Sequence, residues 1–83
     1  MNEYEVIDLS FMELEDFSIT YEKLMNIKIL DLSHNHLTSF PEVILTLKSI
    51  EKVDLSWNHI MNFPPNLPLN IEINRAWNRK KSK

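Results

Sequence analysis

The sequence predicts one small stacked-repeat domain, α/β or mostly β, wound as a solenoid around a short parallel sheet. Three observations carry that prediction. Leu30-Asp31-Leu32-Ser33-His34-Asn35-His36-Leu37 returns 23 residues later as Val53-Asp54-Leu55-Ser56-Trp57-Asn58-His59-Ile60. A weaker copy lies 23 residues earlier, where Asp8-Leu9-Ser10 matches Asp31-Leu32-Ser33 letter for letter. Within each copy the apolar residues alternate, which is the period of a strand. A fixed period of this size marks units that stack because none can cover its own apolar face.

The 83 residues suffice for one domain, 1–83. The first unit spans about 1–23, with Tyr4, Ile7, Leu9, Leu14 and Phe17 in the apolar positions. The second spans 24–46 and repeats them as Ile27, Leu30, Leu32, Leu37 and Phe40. The third spans 47–65, with Ile50, Val53, Leu55, Ile60 and Phe63. Phe17, Phe40 and Phe63 therefore form a column in the predicted core.

After Phe63 the pattern breaks. Pro64, Pro65 and Pro68 forbid a helix over 62–69. Ile71 and Ile73 alternate with polar residues, which predicts one last short strand in a shortened closing unit, 66–78, with Trp77 over the end of the core. A basic tail, 79–83, follows.

Asn35 and Asn58 recur just past the predicted strands. A chain turning there leaves backbone N–H and C=O groups inside the stack, and an inward amide can both donate and accept. These two are structural asparagines. Met12 takes their place in the first unit.

This wording resembles the leucine-rich repeat family. The pattern L-x-x-L-x-L-x-x-N-x-L is met by Ile27, Leu30, Leu32, Asn35 and Leu37, and again by Ile50, Val53, Leu55, Asn58 and Ile60. Phe40-Pro41-Glu42-Val43-Ile44 resembles a segment of the 23-residue intracellular class, to which Ras-pathway scaffold proteins belong. The resemblance implies a short horseshoe segment whose concave parallel sheet binds protein. At about three units it is near the minimum for such a fold.

The residues that folding leaves unexplained fall in columns across the units. Asp8, Asp31 and Asp54 would lie about 4.8 Å from one another, where a basic segment of a partner would relieve their repulsion. Local bonding to neighbouring serines would serve equally well. Ser10, Ser33 and Ser56 are small and keep the face open. Phe11, His34 and Trp57 form an aromatic column of the kind that anchors interfaces. Lys52 stands beside Val6 and Ile29. The expected partner-binding set is thus Asp8, Phe11, Asp31, Ser33, His34, Lys52, Asp54, Ser56 and Trp57.

Several functions are excluded or left without support. The chain has no glycine, so phosphate-cradling loops are absent. It has no cysteine, and three equivalent serines without an oxyanion site make no catalytic constellation. No enzyme activity, cofactor or metal is expected. No apolar run approaches the roughly 20 residues of a membrane span, and the reading is cytoplasmic. Charge is uneven: residues 1–22 carry seven acids and no Lys or Arg, whereas 75–83 carry five bases and no acid. The expected function is non-catalytic recognition of a protein partner on the concave face. Two other readings stand beside it. One is a structural or capping module that self-associates, its acidic end meeting its basic end head to tail. The other is weak polyanion (RNA) binding through the tail.

Overall fold

The computed structural model describes residues 5–17 and 25–78. The basic tail, the position of Tyr4 and the end of the first unit lie outside them. Four strands of three residues each, β1 (Val6–Asp8), β2 (Ile29–Asp31), β3 (Lys52–Asp54) and β4 (Glu72–Asn74), form one parallel sheet in chain order. One short 3-10 helix, Glu42–Thr46, is the helical element among the described residues. The chain is a short, mostly β repeat segment.

Register follows from the repeat. Val6, Ile29, Lys52 and Glu72 align across the sheet, as do Ile7, Leu30, Val53 and Ile73. The last step differs: Glu72 pairs with Lys52 at a separation of 20 residues instead of 23. Pro65 and Pro68 lack N–H groups, and the segment around them turns back without the 3-10 helix that follows Pro41. That helix is seated by Ile44, fully buried, and closed by Thr46 Oγ1 donating to the Val43 carbonyl at 2.7 Å.

The core sits beneath the sheet. Leu30, Leu32, Val53 and Leu55 are fully buried in the middle units. Phe40 and Phe63 meet edge to face, 5.9 Å between centroids. At both ends the same positions are open. Ile7, Leu9, Leu14 and Phe17 are half-buried, and so are Leu67, Ile71 and Ile73. The cause is the one that makes repeats stack: an end unit has a neighbour on one side only.

Candidate binding surface

Each strand ends in a turn, and each turn lifts a ring. Phe11, His34, Trp57 and Trp77 occupy equivalent positions and have φ of 57°, 56°, 59° and 60°. These are left-handed conformations that glycine adopts freely and other residues adopt at a cost. The chain meets the demand without a glycine. The rings stack in series. Phe11 lies 4.2 Å from His34, His34 lies 5.4 Å from Trp57 and Trp57 lies 5.0 Å from Trp77, with interplanar angles of 11°, 11° and 15°. Phe11 is 70% exposed, Trp57 48% and Trp77 55%.

Trp77 is therefore in the ring row and not over the core, as its sequence position suggested. At that end Arg75 lies against Phe63. It takes the place held by Leu32 and Leu55 in earlier units, and its guanidinium carbon lies 5.5 Å from the Phe63 ring centroid, within cation–π range.

Beside the rings runs the aspartate column. Asp8, Asp31 and Asp54 are in register on adjacent strands. Each uses Oδ1 as a clasp for its own turn. It accepts the N–H of the serine two residues on, at 2.9–3.0 Å, and that serine's hydroxyl at 2.6 Å. In β4 the clasp is Asn74 Oδ1, which accepts the Ala76 N–H at 3.1 Å. The Ser10 hydroxyl and N–H together hold the Asp8 carboxyl below its ordinary value.

Ser33 and Ser56 depart from the expected open face. They are buried, at 6% and 5% exposure. Strand alternation predicts outward side chains only within a strand, and these strands stop at Asp31 and Asp54. Past that point the backbone turns, and each serine folds back against the carboxylate.

The asparagines lie below the turns. Asn35 Oδ1 accepts the N–H groups of Met12 and Leu14 from the preceding unit, while Nδ2 donates to the carbonyls of Leu9, Leu32 and Ser33. Asn58 repeats this with Leu37 as donor to Oδ1 and Leu32, Leu55 and Ser56 as acceptors. Asn78 is a third member that sequence reasoning missed. Its Oδ1 accepts from Ile60 at 2.9 Å, and Nδ2 reaches Leu55, Arg75 and Ala76. Searching only at the 23-residue period hid it. The Trp-Asn pair at 57–58 returns at 77–78, 20 residues on.

Lys52 is exposed and takes the column position of Val6 and Ile29. A salt bridge beside the sheet joins a different pair, Lys28 Nζ and Glu5 Oε2, at 3.8 Å. His36 and His59 stack separately, 5.9 Å apart. Among the described residues no three of His, Asp and Glu converge to hold a metal ion. No helix among them is long and apolar enough to cross a membrane.

The family model for the leucine rich repeat matches residues 5–60. No curated protein and no solved structure gives a match. The matched stretch holds β1 to β3, whose strands and rings recur at one period, and the turns with Asn35 and Asn58. By pattern, by register and by family match, this chain belongs to the leucine-rich repeat family.

Proposed function

We propose that the protein is a non-catalytic recognition module and that its partner binds along the ring row and the adjoining aspartates. The observation that carries this reading is the stacked series Phe11–His34–Trp57–Trp77 on left-handed backbone, with Phe11 and both tryptophans exposed and His34 half-buried between them. Exposed large rings on preset backbone lose little conformational freedom on binding, and tryptophan is enriched among residues that dominate binding energy. The proposed partner is a protein with a basic segment. Lys or Arg side chains would meet Asp8, Asp31 and Asp54, and their stems would lie on the rings. Oδ1 of each aspartate is committed to its serine, so the second oxygen is the one offered. Ser33 and Ser56 contribute by aiming the carboxylates, and Lys52 would set which end of the face takes the basic segment. This fits an adaptor of the 23-residue intracellular class working in the cytoplasm.

The test is a binding comparison between wild type and Asp31→Ala/Trp57→Ala against displayed basic and acidic peptides. Wild type should retain basic, aromatic-compatible sequences, and the double variant should lose them while melting as a folded domain. Equal retention by both proteins sinks the reading.

A further inference from the structure

We propose that a second copy of this chain docks on the first head to tail, adding its β1 to the outer edge of β4. This inference is independent of the partner proposed for the ring row. It rests on how the two ends match.

The backbone pattern at each existing junction is the same. Leu9 N–H donates to the Asp31 carbonyl, Leu32 to Asp54 and Leu55 to Asn74, at 2.8 Å each time. On the other side of each strand, Ile29 N–H donates to the Glu5 carbonyl, Lys52 to Lys28 and Glu72 to Glu51. The next donor in the first series is Arg75, and its acceptor would be Asp8 of a second copy. The next acceptor in the second series is Ile71, and its donor would be Val6 of that copy. Among the described residues β1 and β4 are the edge strands of the sheet. An open edge is a template for pairing with another chain.

Three further matches accompany the edges. The apolar layer is half-buried at both, with Ile7 and Leu9 at one end and Ile71 and Ile73 at the other, so docking would close the core from both sides. The ring row ends in Phe11 at one edge and Trp77 at the other, and head-to-tail docking would bring those rings together. Charge differs between the ends. Exposed Glu13, Glu15 and Asp16 lie in the first unit beside Glu5, which pairs with Lys28, while the last unit exposes Arg75 next to a single acid, Glu72. The junction would lack one feature: Met12 stands where an amide would reach back to the preceding turn. The contact would therefore be weaker than the junctions within the chain, and reversible.

Such a contact joins two different surfaces, so it does not close on itself and continues past the dimer. Sedimentation velocity on the full chain across a dilution series should show average mass rising beyond two copies, and rising less as salt screens the charges. Val6→Pro removes the outward N–H of β1, a position where an edge strand tolerates proline. Arg75→Glu reverses the charge of the other end. Each variant alone should be monomeric. An equimolar mixture should form a dimer and nothing larger, because it holds one intact β1 edge and one intact β4 edge. That rescue also shows both variants to be folded. A wild-type chain that is monomeric throughout, stops at the dimer or associates regardless of salt overturns the proposal. So does a mixture that stays monomeric.

Discussion

Asn58 Oδ1 accepts the backbone N–H of Leu37 at 3.0 Å, although the two residues are 21 positions apart in sequence. The same side chain donates to the carbonyl of Leu32. One amide thus fastens a turn to the unit before it, and Asn35 and Asn78 do the same on either side. Among the described residues every buried side-chain nitrogen or oxygen has a partner.

Replacing Asn35 or Asn58 by alanine should therefore cost more than one hydrogen bond. Several buried backbone groups lose their partner together, at about 1–3 kcal/mol for each group left unsatisfied. Urea melts of the two variants should show losses of about 3 kcal/mol or more. Asn78→Ala should cost less, because its turn is partly solvated. Met12→Asn should be nearly neutral, since no unit stands before it among the described residues.

Core truncations should grade with position. Leu32→Ala removes a fully buried side chain and should cost about 2–5 kcal/mol. Leu9→Ala, at the equivalent place in the half-buried first unit, should fall clearly below it in the same denaturation experiment.

The left-handed turns give a test that separates ring from backbone. Trp57→Ala and Trp57→Gly both delete the ring, but only glycine relieves a φ of 59°. The glycine variant should be the more stable by roughly 1 kcal/mol. Equal melting of the two would mean that relief of the turn does not exceed glycine's greater chain entropy in the unfolded state.

Acid should act on the Asp8 clasp. The Asp8 carboxyl is held below its usual 3.8 by the Ser10 hydroxyl and then the Ser10 N–H. A depressed folded-state value contributes stability that is present above the unfolded value and disappears as pH falls through the folded one. An NMR titration should place the Asp8 midpoint below 3.8, and Ser10→Ala should raise it toward that value.

Much of this fold was legible because each unit repeats one rule. The apolar positions at Leu30 and Leu32, the phenylalanine at 40 and the turn amides at 35 and 58 read directly as core and fastening, and they are so placed. What was not legible came from departures from the rule. The closing unit is three residues shorter, so Trp77 and Asn78 fell out of register: Trp77 read as a cover over the core, and the role of Asn78 went unseen. Ser33 and Ser56 were misplaced because alternation ends with the strand. The parallel orientation of the four rings also had no signal in the residue types. Phe, His and Trp need not stack, and they do so here because each inherits the same turn.

The two tryptophans of this chain are the pair that ends the ring row, 5.0 Å apart. All of the protein's indole emission and absorption therefore originates at the β3–β4 junction. Two stacked indoles should couple as an exciton pair in circular dichroism, and that signal should vanish when β4 peels away. A tryptophan-monitored unfolding curve is then a local probe of the closing unit, blind to the acidic first unit. The tyrosine and backbone signals of the remainder would have to be followed separately to learn whether the chain unravels from one end.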